Sequence, residues 1–332
     1  MATRSLVVLP DDSSKPILTA INGASKSLQV KMFVFSDPAL LGAVVAARSR
    51  GVKVQVMLNP ARRTGETDND KTRDTLVRGG VEVCDGNPAF ELTHEKSMVV
   101  DETSAFVKSF NWATKNLTET RDYAVVTSHK HEVCEIRDCF EADWHRQSFK
   151  PADSSHLVWC PGGRARIAAF IDNARHTLFV QNERYQDTVI LERLVRASVR
   201  GVKIHVMARP PHTLKEEKLV EGVGGLRILD DVGIKVHKLK DLKLHAKMLL
   251  ADGVSAIVGS INLAPGSFDA RRELAIEVHE DALVEHLHKV AEHDWRHSHA
   301  LDLSDSGLRA DLEDRVREAE KLGILDAQEE PA

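Results

Sequence analysis

The chain has 332 residues, 42% hydrophobic and 29% charged, with a net charge of −5. That length supports a full core in one large or two medium domains, and the acidic total excludes a uniformly basic polyanion binder. No apolar run approaches the ~18 residues of a membrane span, and four cysteines (Cys84, Cys134, Cys139, Cys160) with no C-x2-C pair give neither a disulfide framework nor a zinc site.

In chain order, residues 6–9 read as a first strand ending at Pro10, too short an apolar stretch for a signal peptide. A short helix follows over 16–24, with Pro16 suited to its first turn, then a strand over 28–34 and a helix over 38–49. Gly51 turns the chain into a strand over 52–58, and the polar loop 59–70 should be exposed. A helix near 71–78, a strand over 81–84, a hairpin over 94–110, a strand over 123–126 and a helix over 131–147 complete the first half. Residues 148–155 (SFKPADSS) read as a linker.

The second half repeats the first. Residues 17–58 align without gaps to 167–208 at an offset of 150, and from 94 onwards the offset is 151, so Asp143-Trp144 matches Asp294-Trp295. A repeat this long is a duplicated domain rather than a solenoid unit. Alternating strands and helices predict an α/β fold of two sandwich halves. The expected divisions are 1–150, 151–300 and a tail over 301–332. Within the tail, Leu308, Leu312, Val316 and Ala319 mark an amphipathic helix over 305–322, and 328–332 should be disordered.

The best-matched stretches carry the chemistry. His94, Lys96 and Asp101 follow H-x-K-x4-D and lead to Ser109 and Asn111; His245, Lys247 and Asp252 lead at the same distances to Ser260 and Asn262. Strand side chains alternate, so each His shares a face with the Lys two residues on. An imidazole, an ammonium and neutral donors suit a phosphate.

These paired motifs resemble those of the phospholipase D superfamily, in particular its bacterial phospholipase D and cardiolipin synthase-like group. The resemblance covers nearly the whole chain. It implies two halves about a pseudo-two-fold axis with both motifs at one cleft, and a phosphodiesterase or phosphatidyltransferase working through a phosphohistidine. One histidine would attack phosphorus and the other protonate the leaving group, with Lys96 and Lys247 clamping the non-bridging oxygens. Ser109, Asn111, Ser260 and Asn262 would bind substrate, and Asp101 and Asp252 would serve turns. No metal or other cofactor is expected, since the motifs hold no ligand cluster. Twenty-eight residues after each motif histidine lies an acid, Asp122 or Glu273. The resemblance makes these candidates for orienting the imidazoles, the alternative being surface acids beside Arg121 and Arg272.

Lys108 and Glu95 should face away from the site. The basic run Lys235, His237, Lys238, Lys240, Lys243 is either a solvated face or a headgroup entrance. Gly222–Gly225 (GVGG) reads as a turn, without a nucleotide-binding frame. Asn59-Pro60 and Arg209-Pro210-Pro211-His212 should rim the cleft, and Glu183 and Tyr185 either shape it or pack in the core. The expected partners are a phospholipid or other phosphodiester, a water or alcohol acceptor, and transient contact with a membrane surface, in a cytoplasmic protein. Nucleic-acid cleavage is the rival activity, opposed by a pI near 6.4 and 5% aromatics. A non-catalytic phosphate-binding scaffold is opposed by both motifs being intact.

Overall fold

The computed structural model describes residues 3–60, 69–152, 155–210 and 216–310, with Glu313 and Arg317, and for 216–221 the backbone only. The loop over 61–68, Pro211 and His212 at the expected rim, most of the tail helix and residues 328–332 lie outside the described residues.

The first half runs β1 (Arg4–Leu9), α1 (Lys15–Gly23), β2 (Ser27–Met32), α2 (Pro38–Ser49), β3 (Lys53–Leu58), α3 (Asp70–Arg78), β4 (Glu82–Asp85), β5 (Leu92–Thr93), β6 (Ser97–Val100), β7 (Ser104–Lys108), α4 (Thr114–Thr118), β8 (Thr120–Thr127) and α5 (Lys130–Trp144). The second runs β9 (Leu157–Cys160), α6 (Arg164–Asn173), β10 (Thr177–Asn182), α7 (Thr188–Val199), β11 (Lys203–Ala208), α8 (Glu216–Asp231), β12 (Val236–Leu239), β13 (Lys243–Leu244), β14 (Met248–Ala251), β15 (Ser255–Gly259), α9 (Pro265–Asp269), β16 (Arg271–Val278), α10 (Asp281–Arg296) and β17 (Ser298–Ala300). Local chemistry sets the helix starts: the Asp37 carboxylate accepts from the backbone N–H of Ala39 and Leu40 ahead of α2, and Asp187 accepts from Ile190 ahead of α7.

Each half builds one mixed sheet, in the order β1-β8-β7-β6-β2-β3-β4 and, correspondingly, β9-β16-β15-β14-β10-β11-β12 with β17 at its edge. The outer faces are covered by α1 and α2 in one half and by α6, α7 and α8 in the other. Between the sheets lies a shared core that includes Val107, Val125, Val258 and Leu274 from the strands and Ile136, Leu287 and Ala291 from α5 and α10. Leu301 and Leu303 still belong to the second half's core. This is the expected tandem α/β architecture.

One expectation fails. Gly222–Gly225 lies inside α8 and is not a turn. A Cβ on Gly225 would sit 1.7 Å from the Tyr185 carbonyl oxygen, so this glycine lets the helix lie on the backbone after β10. Close packing, rather than chain reversal, accounts for it. Tyr185 itself is core: its buried hydroxyl lies 2.8 Å from the Met207 carbonyl oxygen and 3.1 Å from that of Val180.

The halves are also stitched by charge. Arg272 of β16 makes a bidentate pair with Asp143 of α5 (2.9 and 3.0 Å), and Arg121 of β8 makes the matching pair with Asp294 of α10 (2.9 and 3.1 Å). All four residues are buried. Lys31 adds a second cation, an ammonium, on Asp143 at 2.8 Å and bonds Glu95 at the same distance. Burial opposes the charge on Asp143, but Lys31 and Arg272 outweigh it and hold the carboxyl at about 2, against an ordinary value of 3.8. A depressed carboxyl stabilises the fold above its unfolded pKa, so this contribution is complete above about pH 5 and is lost as pH falls towards 2.

Asp143→Ala leaves the buried Arg272 guanidinium without its acid and Lys31 with Glu95 alone, and should cost about 3–5 kcal/mol. Asp294→Ala should cost less, because Arg121 keeps the Leu9 carbonyl at 2.9 Å and Asp11 at 3.0 Å. Urea unfolding of the two variants at pH 7 checks the order; equal costs would contradict this account of the network.

Candidate active site

Each motif begins on a two-residue strand that joins the opposite half. β5 pairs in parallel with β16, Leu92 beside Arg271 and Thr93 beside Arg272, while β13 pairs with β8, Lys243 beside Thr120 and Leu244 beside Arg121. The pairing continues in the backbone: the N–H groups of His94 and Glu95 both donate to the Arg272 carbonyl, and those of His245 and Ala246 to the Arg121 carbonyl. This register sets each imidazole beside the next residue of the partner strand. His94 Nδ1 lies 2.8 Å from Glu273, and His245 Nδ1 lies 2.9 Å from Asp122. The acids are therefore crossed, each serving the histidine of the other repeat.

Neither acid is a surface residue; both are fully buried. Ser109 Oγ donates to Asp122 at 2.5 Å and Thr120 Oγ1 donates to its other oxygen at 2.6 Å. Ser267 Oγ donates to Glu273 at 2.8 Å, and Ser260 Oγ donates to the Leu274 carbonyl and accepts the Leu274 N–H. A hydroxyl has one proton, and these spend it on the acid or on its strand. In this structure the hydroxyls of Ser109 and Ser260, which the sequence suggested for substrate, are turned to the acid or to its strand. Asn111 and Asn262 each have a buried Oδ1 with no partner among the described residues. Asp101 and Asp252 do serve turns: each accepts from consecutive backbone N–H groups, of Ser25–Ser27 and Arg175–Thr177 respectively.

The two lysines differ in company. Lys96 Nζ donates to the His94 carbonyl at 2.6 Å and lies 5.1 Å from the Phe33 ring centroid, with that ring edge-on to His94 at 4.8 Å. Lys247 Nζ bonds the His245 carbonyl and also Glu183 at 2.8 Å. Glu183 pairs with Arg209 at 3.0 Å and approaches His245 Nε2 to 3.7 Å, so it lines the cleft.

Burial, followed by the fields of Lys96 and Lys247, holds His94 well below its ordinary pKa, so its ring is neutral. With Glu273 accepting at Nδ1, the lone pair stands on Nε2. Burial also lowers Lys96 to about 7, partly offset by Glu273 and further depressed by Lys247. The crossed contacts, His94 to Glu273 and His245 to Asp122, bring the two motifs onto the same pair of exchanged strands, and the charges of Lys247 and Glu183 are felt at both His94 and Lys96.

Glu95 and Lys108 face away, as expected. Lys108 Nζ is buried 4.8 Å from the Trp112 ring centroid without a hydrogen-bond partner among the described residues, and burial drives its pKa well down. Of the basic run, His237 stacks on Trp295 at 3.9 Å and Lys243 pairs with Glu119 at 3.4 Å. Among the described residues, Glu95, Cys139 and Asp143 form the grouping that could hold a metal ion. Lys31 Nζ already contacts all three, at 2.8, 3.7 and 2.8 Å, so an ammonium occupies the cation's place.

Phe33, Thr120, Ser267 and the Arg–Asp crossbraces escaped the sequence reading. The braces left a signal: Arg121 and Arg272 precede the two acids, and Asp143 and Asp294 align in the repeat.

The family described as "Cardiolipin synthase, PLD-like domain" matches residues 17–144 and again 167–295. Cardiolipin synthase B of Escherichia coli is 24% identical over 318 residues, covering 80% of this chain and 73% of that protein. Polyphosphate kinase of Vibrio cholerae is 25% identical over 283 residues, but the chain spans only 38% of its length. Among solved structures, phosphatidylserine synthase of Haemophilus influenzae superposes with a TM-score of 0.72 at 11% identity, covering 96% of this chain and 94% of that one. No described helix is long and apolar enough to cross a membrane. With the duplicated motifs, the tandem fold and a family match over both repeats, the chain belongs to the phospholipase D superfamily.

Proposed function

We propose that the protein is a metal-independent phosphodiesterase and phosphatidyltransferase acting on phospholipids through a phosphohistidine. The observation that carries this reading is the pair of crossed acid–imidazole contacts, Glu273 to His94 and Asp122 to His245, at a cleft that also holds Lys96 and Lys247. His94 is the nucleophile: its neutral ring presents Nε2, and Lys96 beside it is not engaged by a carboxylate among the described residues. As the P–N bond forms, the bond to the leaving oxygen breaks and His245 protonates that oxygen. Water or an alcohol then gives its proton to His245 and attacks phosphorus, releasing His94. Lys96 and Lys247 neutralise the non-bridging oxygens, and the amides of Asn111 and Asn262 supply neutral donors. The lipid donor is supported by the likeness to cardiolipin synthase B.

His94→Ala and His245→Ala should each lower kcat by about three orders of magnitude or more, since the two roles are not redundant. Retention of most activity by either variant, measured on bis(p-nitrophenyl) phosphate, would refute the shared cleft.

The crossed acids act on different steps. Asp122→Asn and Glu273→Gln should each lower kcat by about one to four orders of magnitude. With a p-nitrophenolate leaving group, which needs no general acid, Glu273→Gln should slow the pre-steady-state burst and Asp122→Asn should spare it. A burst slowed only by Asp122→Asn would exchange the two histidine roles.

With a phosphatidyl donor, added primary alcohol should divert phosphatidic acid to phosphatidyl alcohol, because any small hydroxyl can resolve the intermediate. The yield should be unchanged by a chelator. Single-stranded DNA is the competing donor: its salt-sensitive cleavage, with no phosphatidyl alcohol formed from any phospholipid, would overturn the lipid assignment.

A further inference from the structure

The repeat makes Glu183 conspicuous. At the offset of 150 its counterpart is Phe33, and both residues follow the strand that runs through the middle of their sheet. Phe33 gives His94 and Lys96 an apolar wall; Glu183 gives His245 and Lys247 a carboxylate. The carboxylate is not required to keep a motif lysine in place, because Lys96 is as buried as Lys247 and manages with its own strand carbonyl and the Phe33 ring. Burial opposes the charge on Glu183, but Lys247, His245 and Arg209 outweigh it and keep the group ionised. Its side chain is 11% exposed and comes within 3.7 Å of His245 Nε2 and 2.8 Å of Lys247 Nζ. Asp122 and Glu273 are each committed to a histidine Nδ1, whereas Glu183 lies 3.7 Å from His245 Nε2, the nitrogen that faces away from Asp122.

We propose that Glu183 is a specificity-determining residue that biases the cleft towards a monoanionic phosphodiester and against a dianionic phosphomonoester. This rests on the phosphodiesterase reading above and deepens it. A diester carries one negative charge at neutral pH, whereas a monoester, with a second pKa near 6, carries nearly two. Lys247 and Arg209 attract both ions, and a fixed carboxylate between them penalises the second charge in addition to the first. Hydrolysis turns the diester into a monoester, so Glu183 expels that product, while a transfer product, still a diester, is not disfavoured.

The test is anion selectivity in the full chain. Dissociation constants for inorganic phosphate and dimethyl phosphate are measured at pH 8 by titration calorimetry, with turnover of bis(p-nitrophenyl) phosphate followed in parallel. Glu183→Gln and Glu183→Phe, the latter reproducing the first half's arrangement, should each shift the affinity ratio towards inorganic phosphate by about tenfold or more, or about 1.4 kcal/mol. Glu183→Asp, which keeps the charge, should hold the wild-type ratio. A merely structural role would weaken both anions alike. That result, an equal shift in Glu183→Asp, or no anion binding by the wild-type chain would each overturn the proposal. Absence of turnover together with the expected ratio shift would instead leave the selectivity standing and remove the catalytic reading.

Discussion

The exchange of two short strands between the repeats is the constraint on which this site depends. β5 and β13 are only two residues long and sit immediately before the motif histidines. Because each pairs with the other half's sheet, neither repeat can assemble an oriented imidazole alone. His94 needs Glu273 and His245 needs Asp122, and both contacts follow from a one-residue step in the β5–β16 and β13–β8 registers. The Arg–Asp braces tie the same strands to the closing helices, so the element that carries each acid is itself anchored across the interface. Buried charge networks of this kind contribute more to geometry than to net stability, since their desolvation offsets much of the Coulombic gain.

Around this symmetric frame the repeats have diverged in charge. Lys31, Glu95 and Lys108 of the first half correspond to Gln181, Ala246 and Gly259 of the second. The first half buries an ion network about Asp143; in the second, the Tyr123 hydroxyl donates to Gln181, whose amide donates to Asp294 at 3.2 Å. Gly259 reflects close packing, as a Cβ there would meet the Ala275 Cα at 2.3 Å. In the cleft the divergence is Phe33 against Glu183. Two histidines in like positions thus meet unlike surroundings.

Much was legible in the sequence because duplication shows which positions share a physical role. Strand and helix periodicity gave the longer α/β elements of the first half to within a few residues, and the H-x-K-x4-D spacing put His and Lys two residues apart in each motif. The matched acids at twenty-eight residues marked Asp122 and Glu273 as partners of the imidazoles. The motif aspartates were readable as turn residues, since a position at a strand end is a local property.

What the chain order could not carry was pairing between distant segments. Nothing local says that residue 94 faces residue 273 rather than 122; the parallel register of a two-residue strand decides it. The hydroxyls of Ser109 and Ser260 could have faced a phosphate from their spacing alone, but the neighbouring strand brings an acid or a carbonyl nearer. The glycines at 222–225 have turn-like composition, and only the approach of α8 to the Tyr185 backbone makes a helix without side-chain bulk the better solution. Sequence by itself determined the fold class, the duplication and which polar side chains recur in both motifs, because these rest on periodicity and spacing. Tertiary structure decided which half completes which site and how each imidazole is surrounded, because those depend on strand register and burial between residues far apart in the chain.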